Sequence, residues 1–133
     1  MLTNPSRYVA AMTHTIRLKR VYDPPADDDG RRILVERLWP RGLSKDRAAV
    51  DLWAKEVAPS PELRTWYGHE VARWEEFQVR YRAELAANAQ AVEALARECA
   101  TGPVTFVFAA RDADRCSAVV LREYLEALAD HPR

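Results

Sequence analysis

The run Glu36-Arg37-Leu38-Trp39-Pro40-Arg41-Gly42, continued by Leu43-Ser44-Lys45, sets three cations and an indole close together in the chain. Arginine offers a planar fork of donors matched to carboxylate or phosphate. Pro40 stiffens the backbone, and Gly42 opens a turn conformation closed to most residues. The chemistry this spells is anion capture by Arg37, Arg41 and Lys45. A second polar run, Arg111-Asp112-Ala113-Asp114-Arg115-Cys116, offers Arg111 for the same task.

Arginine stays protonated and cannot shuttle protons near neutrality, so a reaction would need other groups. Asp112 is one candidate acid/base residue. Cys116, beside Arg115 and just ahead of a helix, stands where a thiol's pKa can fall, which makes it the candidate nucleophile. Its other reading is a small buried hydrophobe, with no histidine close in sequence to act as base. His69, following Gly68, reads as a general base or as a polar cap. Asp27-Asp28-Asp29 lacks the alternate spacing of a calcium loop and reads as a solvated turn. Neither Cys99 nor Cys116 lies in a zinc spacing. No metal or nucleotide-cofactor motif is legible, so the cofactor stays open and no residue is assigned to a metal.

The elements that must position these groups belong to one domain, since 133 residues suffice for a single core and not for two. Twenty basic residues balance twenty acidic ones, so the net field that draws proteins onto nucleic acid or anionic membranes is missing. Seventeen of those basic residues are arginine, a bias explained by genome base composition or by anion recognition, so each arginine is weighed by position. The cysteine usage, and the absence of a membrane-length apolar run or a secretory h-region, point to a cytoplasmic protein without a membrane partner. Residues 1–13 read as a disordered N-terminal extension, and 14–130 as the domain.

Alternation over Thr15–Tyr22 predicts a strand. The turn-rich Asp23–Gly30 is too short for a parallel crossover between neighbouring strands, so a direct pairing with the next strand, Arg32–Leu38, would be antiparallel. Ser44 caps a short helical turn to about Ala49. Val50–Ala58 is read as extended, with a helix as the alternative. Ser60-Pro61-Glu62 starts a helix that stops at Gly68. Val71, Trp74, Phe77, Tyr81 and Leu85 form the core stripe of a longer helix, and Val92, Leu95, Ala96 and Cys99 that of another. Val104–Ala109 reads as a central buried strand, followed by a helix from about Ser117 to Ala129. The sum is an α/β domain with a short mixed sheet of about three to four strands and four or so helices. Strand, polar loop and helix place Arg111–Ser117 at the carboxyl end of a central strand, where open α/β sheets bind ligands. If the first loop meets it there, Arg37, Arg41 and Arg111 converge with the free amides of a helix start. The competing reading is an internal salt-bridge set in which Arg37 and Arg111 pair with Glu36, Asp112 or Asp51.

Ordered motifs carry a resemblance over about Ile16–Leu128. Lys19–Asp23, Val35–Gly42, Asp51–Ser60, Trp66-Tyr67-Gly68-His69, Trp74-Glu75-Glu76-Phe77 with Tyr81, and Phe108–Asp112 are similar to the YeaO-like branch of the bacterial proteins grouped as domain of unknown function 488. The resemblance implies a small cytoplasmic α/β domain and supplies no reaction. It marks Tyr22, Asp23, Arg37, Trp39, Arg41, Lys55, Arg111 and Asp112 as typical motif positions. Where relatives commonly carry Asn-His, this chain has Cys116-Ser117, which removes one histidine base or ligand. The expected function is therefore a small enzyme or ligand-binding protein that holds an anionic small molecule. Tyr22, Arg37, Trp39, Arg41, Lys45, Lys55 and Arg111 line its pocket, and Asp23, Asp112 and Cys116 are the candidates for catalysis. A nucleic-acid module stacking bases on Trp39 and Trp53, and an interaction protein with purely structural arginines, are the alternatives.

Overall fold

The computed structural model of the chain describes residues 15–130. The extension expected at residues 1–13 lies outside them, as do His14 and His131. Strands β1 (Ile16–Arg20), β2 (Arg31–Leu34), β3 (Leu52–Trp53) and β4 (Val104–Phe108) form one sheet in the order β1-β4-β2-β3. The α/β class and the single small domain hold. Every pairing is parallel, so the sheet is not mixed. The reason is that β1 and β2 never meet: β4 lies between them, with Ile16 and Arg31 both opposite Val104. The connection between β1 and β2 is thereby freed from making a hairpin. It returns across one face of β4, where Thr105 Oγ1 donates to the Asp29 carbonyl at 2.7 Å.

That connection also corrects the solvated reading of the triple aspartate. Asp27 and Asp28 are exposed, but Asp29 is only 4% exposed. Its carboxylate accepts from Lys19 Nζ at 3.1 Å, from buried Arg32 Nη1 at 2.9 Å and from the Ala26 N–H at 3.0 Å. Arg32 spends its remaining reach on the carbonyls of Ala48 (2.9 Å) and Val21 (3.3 Å). A buried charge is tolerated when it is paired and hydrogen-bonded in this way.

Helix α1 (Lys45–Ala48) is capped by Ser44, whose hydroxyl accepts from the Arg47 N–H. Val50–Ala58 begins extended, as β3, and then tightens into a 3-10 turn at Lys55–Val57. Helix α2 (Pro61–Tyr67) starts at Ser60, which accepts from the Leu63 N–H and donates to Glu84, and stops at Gly68 in the left-handed conformation. Helices α3 (Trp74–Ala86), α4 (Ala89–Ala100) and α5 (Ser117–Asp130) follow the predicted phases. One residue departs: Val71 is 57% exposed, because Val71–Arg73 is a 3-10 turn that puts it out of register with the stripe of Phe77, Tyr81 and Leu85.

Strand β4 is buried along its whole length. Its alternate residues serve two faces. Phe106 and Phe108, with Ile16, Ile33 and Val35, join the core under the helices. Val107, with Val21, Leu34 and Ala48, forms a smaller core covered by Trp39, Leu43, Val50 and Trp53. Because β1, β2 and β4 run the same way, all three deliver their following loops to one edge of the sheet. No helix among the described residues is long and apolar enough to cross a membrane.

Candidate functional site

A cleft of about 850 Å³ opens at that edge. Its lining comes from the exits of β1 (Tyr22), β2 (residues 36–41) and β4 (residues 109–112), from the end of α2 with Gly68 and His69, and from Cys116 and Ser117 at the start of α5. Both arginine-bearing loops thus border one cavity, as parallel strands require. Of the ten sequence candidates, Tyr22, Arg37, Trp39, Arg41, Arg111, Asp112 and Cys116 line it, and Asp23, Lys45 and Lys55 do not. Asp23 and Lys45 are exposed away from this lining. Lys55 lies over the Trp53 ring, 4.8 Å from its centroid.

Arginines hold the walls in shape. Arg20 donates to the carbonyls of Ala109 and Ala110, each at 3.1 Å, and so fixes the chain leaving β4. Arg37 donates to the carbonyls of Ala58 (3.0 Å) and Pro59 (3.2 Å), tying the exit of β2 to the start of α2. The Tyr22 hydroxyl donates to the Arg41 carbonyl at 3.1 Å. Trp39 and Trp53 meet edge to face at 5.4 Å, and their indole N–H groups donate to Leu43 and Glu36 carbonyls, each at 2.7 Å. These rings brace the loop and each other. Lys55 covers the Trp53 ring, while Trp39 keeps part of its ring at the cleft.

The remaining arginines behave differently. The side chains of Arg41, Arg64 and Arg111 are exposed and make no hydrogen bond or ion pair among the described residues. The internal salt-bridge set does not form: among the described residues Arg37 and Arg111 pair with no acid, and Asp51 accepts instead from the Arg32 N–H at 2.8 Å. Asp112 pairs with Arg115.

Glu36, Asp112 and Cys116 share the cavity. Half-buried Glu36 accepts from the Ala109 N–H at 2.9 Å through Oε2. Burial raises its pKa, against the pull of that N–H and of the charges on Arg64 and His69. Asp112 accepts from the N–H groups of Asp114 (3.1 Å) and Arg115 (3.2 Å). Although desolvation opposes it, the Arg115 guanidinium and these two N–H groups hold the Asp112 carboxyl below its usual range. It closes the loop as an ionised acceptor and is a weak base. Cys116 is 3% exposed. Burial pushes its thiol up, with Glu36 and Asp112 adding to the effect, and this outweighs the N–H groups of Val119 and Ala118. That direction is the opposite of the lowered pKa that an activated thiol shows. Alkylation of the native protein is expected to be slow, with no rate inflection below the ordinary thiol pKa of about 8.5. An inflection near pH 7 would restore the nucleophile.

His69 adopts a left-handed φ of 59° and lines the cleft beside Tyr67, their rings 6.0 Å apart. Tyr67 stacks on Phe77 at 4.4 Å and donates to the Arg115 carbonyl at 2.8 Å, which links α2 to the loop before α5. Two charged lining residues were not site candidates from sequence, Arg64 and Glu36. Arg64 sits in the middle of α2 with no local signal; only the docking of that helix beside β2 brings it to the cleft. Glu36 carried a signal, an acid between a buried strand and the arginine loop, but it reads equally well as an ion-pair partner.

The model of the family described as the inactive DUF488-N3 subclade matches residues 15–132. The uncharacterized protein YeaO of Escherichia coli (strain K12) is 43% identical over 113 residues, which are 85% of this chain and 98% of that protein. The uncharacterized proteins Mb3100c of Mycobacterium bovis and Rv3073c of Mycobacterium tuberculosis are each 44% identical over 110 residues, 83% of this chain and 92% of theirs. No solved structure gives a significant match. With a cleft-forming parallel sheet and relatives matched nearly end to end, the chain belongs to the DUF488 family, in its YeaO-like branch and the subclade described as inactive.

Proposed function

We propose that the protein is a ligand-binding domain whose cleft takes an anionic small molecule, through a phosphate or carboxylate group. One observation carries this reading: Arg41, Arg64 and Arg111 border a single cavity and make no hydrogen bond or ion pair among the described residues. Like charges that border one cavity outside any ion pair raise the energy of the empty site, and a bound anion relieves it. Arg37, held on two carbonyls, adds a fixed positive charge at the wall. Binding is favoured over catalysis because the partners of Asp112 lower its carboxyl pKa, which weakens it as a base, and burial raises that of the Cys116 thiol. The description of the subclade as inactive points the same way.

A thermal-shift panel of phosphate, sulfate and small carboxylates tests the proposal. A ligand at about 100 times its Kd should stabilise the native protein by about 2.7 kcal/mol. Arg41→Ala and Arg111→Ala should each weaken binding about tenfold or more, since each removes a charged hydrogen bond. Equal responses in wild type and variants would remove these arginines from the site.

A further inference from the structure

An anion site should not contain an unpaired carboxylate, yet Glu36 lines this one. Among the described residues no cation lies within ion-pair distance of Glu36; Arg64 and His69 act on it only at longer range. Its Oε2 is used by the Ala109 N–H. Its Oε1 has no hydrogen-bond partner, and it is not sealed inside protein: the one buried side-chain oxygen without a hydrogen-bond partner among the described residues belongs to Glu98, which pairs with Arg31. Pinning Ala109 needs one acceptor, which a glutamine would also supply. The second oxygen serves neither that hydrogen bond nor an ion pair with the arginines.

We infer that Glu36 is the specificity residue of the cleft, and that its Oε1 accepts a hydrogen bond from an amine on the same ligand whose anionic group meets Arg41, Arg64 and Arg111. The ligand class is then a small amine-bearing phosphate or carboxylate. A cationic amine suits the position better than a hydroxyl because an opposite charge favours the ionised carboxylate that burial disfavours. The apolar wall of Pro40, Pro59, Tyr67 and Phe77 gives a carbon linker between the two charged ends a surface to lie on. An acid opposite arginines also rejects simple anions by repulsion, which is how charge juxtaposition discriminates between partners.

The inference rests on the anion-binding reading, and calorimetric titration of the full chain separates the two. Three probes suffice: inorganic phosphate, ethyl phosphate, and 2-aminoethyl phosphate, which differs from the second by its amine. Wild type should bind 2-aminoethyl phosphate about tenfold more tightly than ethyl phosphate, the scale of one charged hydrogen bond. Glu36→Gln, which keeps an acceptor for Ala109, should abolish that preference and leave ethyl phosphate bound equally well or more tightly. If glutamine impairs folding, Glu36→Asp makes the same comparison, with the preference reduced by withdrawal of the oxygen. Binding of ethyl phosphate with no preference for the amine in wild type would overturn the inference and keep the anion site. A preference that survives in both variants would overturn the role of Glu36. No heat with any of the three probes would overturn both readings.

Discussion

Gly30→Ala is expected to lower the unfolding free energy by about 3 kcal/mol or more in urea denaturation. Gly30 has φ 64° and ψ −140°, a combination that essentially only glycine adopts. A Cβ built there would lie 2.1 Å from the Pro103 carbonyl oxygen and 2.6 Å from its carbon. No side-chain rotation relieves a clash with backbone. The same carbonyl accepts from the Arg31 N–H at 3.1 Å, so any retreat breaks the first rung between β2 and β4. Gly102→Ala is the matched control, because a Cβ at Gly102 meets nothing within 4 Å. It should shift stability by about 0.5 kcal/mol or less. A loss below about 1 kcal/mol at Gly30 would mean that the turn relaxes freely and that the strain argument is wrong.

Asp29→Ala should be comparably damaging, at about 3–5 kcal/mol, because it leaves the Arg32 guanidinium buried without its counter-charge. The Arg32 side chain is 3% exposed and that of Asp29 6%. Water therefore cannot take over the lost pairing. Asp28→Ala, which touches an exposed partner of Arg17, should leave the transition where it was. The pair also sets acid sensitivity. Desolvation works to raise the Asp29 carboxyl, but the Ala26 N–H together with Arg32 and Lys19 holds it below its ordinary 3.8. A depressed folded pKa contributes stability that is present above the unfolded value and disappears as pH falls through the folded one. The melting temperature of wild type should thus drop on acidification below about pH 4, and the part due to Asp29 should be missing from the slope of Asp29→Ala. Identical acid slopes in the two proteins would dismiss this linkage.

Where local chemistry decides structure, this chain is readable. Ser60-Pro61 and Gly68 bracket α2 through caps that need no tertiary help, and the β-branched and aromatic run Val104–Phe108 can scarcely be anything but a buried strand. The orientation of the sheet was less accessible. A ten-residue span between β1 and β2 looks like an antiparallel link until a later strand inserts between them, and nothing in residues 21–30 announces that insertion. Asp29 was hidden among three identical neighbours; its burial follows from the position of Arg32 across the turn. The cleft shows the same division. Arg37, Arg41 and Arg111 were visible because they sit in turn-forming loops after strands, whereas Arg64 lies on a helix whose packing direction the sequence does not state. Lys45, Lys55 and Asp23 shared motifs with the lining residues but project elsewhere, since adjacency along a loop does not fix which way a side chain turns.

The strand order has a further consequence, for the timing of folding. The strand that joins β1 to β2, β4, is also the last one made. During synthesis β1 and β2 emerge with their apolar residues, Ile16 and Ile33-Leu34-Val35, and without the edge that each must pair with. The helices α3 and α4 can form locally, but they have no sheet to cover until Phe108 has left the ribosome. Assembly is then a single late event built on contacts distant in sequence, a topology that folds slowly and leaves strand edges bare in the meantime. Any fragment ending before Val104 would carry β1 and the β2–β3 pair and nothing to join them.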